Sequence, residues 1–160
     1  MRIRSLHPWK LDLARARALQ EALAGRVSEH EPPGFSPRLV AGADMSHRRG
    51  SPWLYAAVVV LRLPDFAVVE QAGARRRATF PYIPGFLSFR EGPVVLAAFR
   101  KLRTQPDAVL FDGQGRAHPR RCGLACHLGL WLDRPSLGCA KSCLCGEYGQ
   151  VGPQGGARSE

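Results

Sequence analysis

The sequence has no apolar run approaching the roughly 18 residues a membrane span needs. Its opening, MRIRSLHPWK, carries basic side chains without an apolar stretch behind them, which is not the layout of a secretory signal. The paired CxxC spacing usual in zinc sites is missing, and five cysteines are an odd number for a disulfide framework. Acidic residues are few, 13 against 23 basic ones, and lysine is scarcer still, with Lys10, Lys101 and Lys141 set among arginines. These gaps point to a soluble, cytoplasmic protein off the membrane. Its thiols (Cys122 and Cys126 on a helix, then Cys139, Cys143 and Cys145) are expected to serve packing.

What is present is an ordinary globular composition, 45% apolar and 22% charged over 160 residues, which excludes a disordered or collagen-like chain. That length suits one domain with its own core. The net charge of +10 raises the local concentration of polyanions and favours a nucleic-acid partner. Arginine's planar fork suits phosphate oxygens. An arginine bias in the coding DNA would give the same composition, so charge alone does not decide.

Along the chain, residues 9–27 show apolar positions at helical spacing, with Gly25 as a stop. Residues 28–37 hold three prolines and form a linker. The stretches 39–45, 54–63 and 66–77 read as three strands of an antiparallel meander. The segment 79–89 holds two prolines and a glycine and is expected to stay irregular; 91–103 reads as a helix with Pro93 in its first turn. A strand at 108–112, a helix at 120–132 and a short strand at 135–141 complete a mixed sheet with packed helices. The boundaries are 1–145 for the folded domain and 146–160 for a Gly-rich tail or loop.

Three acids stand at the ends of these elements: Asp44 in the first strand, Glu91 opening a helix, and Asp112 closing the fourth strand. Singly, each has an ordinary reading as a turn residue, a helix N-terminal charge or a loop cap. Together, hard oxygen ligands beside a basic surface suit Mg²⁺ or Mn²⁺ and the cleavage of phosphodiesters. The loop at Pro81, Tyr82, Ile83 and Pro84 offers a stiff apolar tip able to wedge between stacked bases, although Tyr82 and Phe86 could equally pack inward. Gly85 leaves room for a base against the backbone.

The segments GADMSH, PYIPGFLSFRE, DGQGRAHPRRCGLACHLG and GCAK, in that order from about Arg38 to Lys141, resemble the endonuclease V family of deoxyinosine-directed nucleases. The resemblance implies an α/β, RNase H-like mixed sheet, with three antiparallel strands followed by parallel ones. It implies Mg²⁺-dependent DNA repair, cutting the second phosphodiester bond 3′ to deoxyinosine and leaving 3′-hydroxyl and 5′-phosphate ends; a monomer is expected, although the sequence does not encode the oligomeric state legibly.

Matched by motif, Asp44, Glu91 and Asp112 would hold the metal and Lys141 would stand near the scissile phosphate. Pro81, Tyr82, Ile83 and Pro84 would form the strand-separating wedge, and Gly85, Leu87, Gly113 and Leu124 the hypoxanthine pocket. His118 would contact phosphate or base, or else order its loop; Arg120 and Arg121 would bind phosphate or face solvent. Family members continue past this point with a further strand and helix, so the chain reads as a C-terminally truncated member. Two alternatives follow: a nucleic-acid-binding remnant with impaired catalysis, or a ribonuclease acting on inosine-containing RNA.

Overall fold

Asp12 accepts a hydrogen bond from the Arg15 backbone N–H at 2.8 Å and so caps the first helix, α1 (Leu13–Ala24). The computed structural model describes residues 1–158. After α1 come β1 (Leu39–His47), β2 (Trp53–Arg62) and β3 (Ala67–Arg77), then α2 (Leu87–Phe99), β4 (Ala108–Phe111), α3 (Leu124–Leu132) and β5 (Ser136–Gly138). The strands form one mixed sheet in the order β3-β2-β1-β4-β5. β1, β2 and β3 pair antiparallel, whereas β4 runs parallel to both β1 and β5. This is the RNase H-like α/β architecture expected from the sequence.

Period-two alternation explains the burial. Leu54, Ala56, Val58 and Val60 of β2 turn to one face, where they join Val94, Leu96 and Phe99 of α2 and Leu128 of α3 in the main core. The opposite face carries Tyr55, Leu110 and Leu137, all exposed. Trp9 stacks on Trp131 at 4.9 Å and presses so closely on α2 that a Cβ at Gly92 would lie 2.6 Å from its ring. Only glycine fits there.

Several boundaries differ from the sequence reading. α2 begins at Leu87 rather than at residue 91, so Pro93 lies inside the helix and Glu91 sits a full turn in, not at its opening. The tail of the segment expected to stay irregular is therefore helical: Phe86 ends the loop, and the apolar Phe89, Val94 and Val95 are buried despite the missing proline N–H. α3 starts at Leu124, because Arg121 adopts a positive φ of 53° just before it. β5 ends at Gly138, leaving Lys141 in an exposed loop. Cys122 and Cys126 are buried as expected of packing thiols, but Cys139 and Cys143 are exposed. Residues 146–158 hold neither helix nor strand, and the last two residues of the 146–160 stretch lie outside the described ones.

Candidate functional site

Parallel pairing brings two of the acids together. Ala43 is opposite Phe111 across β1 and β4, and the Asp112 N–H donates to the Ala43 carbonyl at 3.3 Å. Asp44, inside β1 rather than at its end, and Asp112, just past β4, therefore lie next to each other where the β1–β4 pairing stops, on chains about 4.8 Å apart in the pairing direction. α2 crosses that end of the sheet and supplies Glu91, only 8% exposed. Burial pushes the Glu91 carboxyl up to about 7, and the charges of Asp112 and Asp44 push the same way against the pull of Arg90. Lys141 reaches back from its loop, its Nζ 2.9 Å from Asp112 Oδ2. All four line one cleft of about 470 Å³. As placed, they do not close into a ligand cage: among the described residues no three His, Cys, Asp or Glu side chains are close enough to hold an ion.

The opposite rim is the proline-bracketed loop. Tyr82 is 68% exposed and stands clear of the core, while Ile83 packs beside Phe80, Phe86 and Phe89. Tyr82, Ile83, Pro84, Gly85, Leu87, Gly113, Leu124 and His118 all face the cleft; of the residues expected there, Pro81 does not. Gly85 adopts φ +77°, a left-handed turn that lets the chain enter α2. Phe86 caps α2 without a side-chain hydrogen bond, and of the first-turn N–H groups that of Phe89 donates to the Phe86 carbonyl at 3.1 Å.

His118 and Arg120 serve this loop. The Arg120 N–H donates to His118 Nδ1 at 3.1 Å, so the ring proton is on Nε2, which donates to the Gly85 carbonyl at 3.0 Å. Of the two readings of His118, the loop-ordering hydrogen bond is the one formed. Arg120 is half-buried, and its guanidinium is engaged within the protein. Its guanidinium binds the Gly85 carbonyl and Gln20 Oε1 and lies 4.2 Å over the Phe86 ring. Arg121 is exposed.

Sequence reasoning missed Gln20, His47, Ser88 and Gln114, which also line the cleft. Gln114 and Ser88 lie inside segments already singled out, so proximity was available as a signal. Gln20 gave none, being a single amide on a helix of alternating character. Ser88 ends a buried chain of rings. Trp131 Nε1–H donates to His7 Nε2 at 3.1 Å, leaving the His7 proton on Nδ1, which donates to the Pro8 carbonyl at 2.9 Å. His127 Nε2, 2.7 Å from His7 Nε2, is then the donor, and its Nδ1 accepts from the Ser88 hydroxyl at 2.8 Å. Both rings are neutral.

The chain is similar to known proteins over most of its length. The profile of the Endonuclease V family matches residues 21–160. Endonuclease V of Alkalilimnicola ehrlichii is 51% identical over 157 residues, spanning 98% of this chain and 69% of its own. The crystal structure of Endonuclease V from Streptomyces avermitilis superposes with a TM-score of 0.87 at 40% identity, over 94% of this chain and 67% of that one. Endonuclease V of Ciona intestinalis, in complex with a 24-mer DNA containing an inosine followed by a ribo-adenosine, has a TM-score of 0.74 at 29% identity. It is covered over 58% of its length, so the chain spans roughly two thirds of its relatives. Profile, sequence and fold agree over nearly the whole of what is described, and this chain belongs to the endonuclease V family.

Proposed function

We propose that this chain is a Mg²⁺-dependent endonuclease acting on DNA that contains deoxyinosine, cutting the second phosphodiester bond 3′ to the lesion and leaving 3′-hydroxyl and 5′-phosphate ends. The observation that carries the reading is one cleft holding three carboxylates and Lys141 on one side and an exposed tyrosine on a bracketed loop on the other. The inosine-containing DNA held by the Ciona relative supports the substrate class.

Asp44, Glu91 and Asp112 would hold the ion, Mn²⁺ being a chemical substitute for Mg²⁺. Their oxygens are hard donors, and the mutual repulsion that helps push Glu91 to about 7 is what a divalent cation relieves. When bound, the metal supplies an activated water and neutralises charge on the leaving oxygen. The residues of the chain do the rest. Lys141, exposed on its loop, turns its ammonium to the charge developing on the phosphate. Tyr82 and Ile83 fill the gap left when the base swings out, and hypoxanthine, which pairs weakly, leaves its stack at low cost. Gly85, Leu87, Gly113 and Leu124, which line the cleft, would enclose the base, and backbone groups there would read its O6 and N1–H edge. Adenine reverses the donor pattern on that edge and would leave buried groups unpaired.

The test is a 5′-labelled duplex with one deoxyinosine, incubated with Mg²⁺ or with EDTA, beside Asp112→Asn. A Mg²⁺-dependent nick at the second bond, lost in the variant, is expected. Binding without nicking by the unsubstituted chain would instead identify a catalytically impaired nucleic-acid-binding form. The ribo-adenosine beside the inosine in the Ciona complex favours a second reading, cleavage of inosine-containing RNA. A matched RNA strand in the same assay decides between the two.

A further inference from the structure

Gln20 is 1% exposed in the middle of α1, outside the stretch matched by the family profile. A buried amide must satisfy both of its ends, and the partners of Gln20 fix which end is which. Its Nε2 donates to the Cys122 carbonyl at 2.6 Å, and its Oε1 accepts from Arg120 Nε at 2.7 Å. Held this way, Arg120 points Nη2 at the Gly85 carbonyl and lays its plane over Phe86. The guanidinium packs so tightly on Gly85 that a Cβ there would meet Nη2 at 2.8 Å. The Gly85 carbonyl thus takes two donors, His118 and Arg120, both from one turn 33 and 35 residues away.

We propose that Gln20 is a positioning residue: acting through Arg120, it holds the Gly85 turn in place and thereby sets the shape of the base pocket and the aim of the Tyr82 loop. The proposal deepens the reading above, since the pocket it shapes is the one assigned to hypoxanthine. Among the described residues Arg120 forms no ion pair; Gln20 is its only side-chain hydrogen-bond acceptor. Released from that acceptor, the guanidinium is free to swing off the Gly85 carbonyl, which then keeps only the His118 bond. Helix α1 then contributes to base selection through Arg120.

Two substitutions separate this role from a purely structural one. Gln20→Met keeps the volume and removes both hydrogen bonds. Gln20→Glu keeps an acceptor for Arg120 but sets a carboxylate against the Cys122 carbonyl. Two readouts are taken: amide hydrogen exchange across residues 83–89, where Phe86 and Phe89 N–H are bonded within the turn, and the ratio of dissociation constants for inosine-containing and adenine-containing duplexes. For Gln20→Met, exchange in that segment is expected to rise about tenfold with the sheet unchanged, and the ratio to fall about tenfold, the loss of one charge-assisted hydrogen bond. Gln20→Glu is expected to restore both. If Gln20→Glu behaves as badly as Gln20→Met, the residue serves only the Cys122 carbonyl and the proposal is overturned; unchanged exchange in Gln20→Met also overturns it. If the unsubstituted chain shows no preference for inosine, the functional reading fails, and the exchange arm still decides the positioning role.

Discussion

Lys141 Nζ lies 2.9 Å from Asp112 Oδ2, so the ammonium is paired with one of the three carboxylates that line the cleft. The pairing raises the Lys141 pKa through the Asp112 hydrogen bond first and its charge second. A divalent ion held by Asp44, Glu91 and Asp112 would compete with this contact and would free the Lys141 ammonium for a phosphate. Replacing Lys141 by Met is therefore expected to tighten Mn²⁺ binding several-fold while slowing nicking by about 10²-fold, as for loss of one electrostatic contact to a reacting phosphate. Titration calorimetry and single-turnover kinetics check the two halves. Because the lysine is exposed, the melting temperature is expected to stay put.

Glu91 gives the cleft a pH dependence. Its folded-state pKa is raised from 4.5 to about 7, chiefly by burial. Between those values the folded chain keeps a proton that the unfolded chain has released, so metal-free stability falls as pH rises, by roughly 1.4 kcal/mol per unit. Metal binding requires the carboxylate, so Mn²⁺ affinity is expected to climb with pH up to about 7 and then level off, with a proton released on binding below it. Glu91→Gln is expected to flatten both profiles. Urea titrations and calorimetry in two buffers of different ionisation enthalpy measure them.

His127 has the opposite slope. Burial first, and the neighbouring His7 second, depress it from 6.5 to about 3. As pH falls through that window the unfolded chain gains a proton that the folded chain cannot take, so stability is full above about 6.5 and is lost at roughly 1.4 kcal/mol per unit below it. His127→Asn is expected to be less stable at pH 8 but to lose less on acidification. Equal slopes in urea titrations from pH 7 to pH 4 would show that the ring is charged in the fold.

The wedge separates binding from stability. Tyr82 is 68% exposed and adds nothing to the core, so Tyr82→Ala is expected to leave the melting temperature within a degree or two. Affinity for inosine duplex should fall about tenfold, the worth of one stacking contact, with a smaller loss on single strands, where nothing needs prising apart. Fluorescence anisotropy on the two substrates measures the contrast.

The strands were legible because their chemistry is local. β2 is a β-branched run that alternates cleanly, and its observed bounds lie within a residue of those read from sequence. The start of α2 was not, because Pro93 signals a first turn while the tertiary burial of Phe89 and Val94 carries the helix through it. The acids were legible in their motifs, although Asp44 lies inside β1 and Glu91 inside α2 rather than at element ends, and the cleft unites them. Arg120 was misjudged because its partners, Gln20 and Gly85, stand 100 and 35 residues away. Pairing at that range has no sequence period to betray it. The histidine chain from His7 to Ser88 was hidden for the same reason.

Diffraction from crystals of the chain soaked in Mn²⁺, collected at the manganese edge, tests the shared metal most directly. An anomalous peak at coordinating distance from oxygens of Asp44, Glu91 and Asp112, with Lys141 drawn off Asp112, is expected. Crystals with no peak in that cleft at saturating Mn²⁺, or one bound away from these three residues, would contradict it.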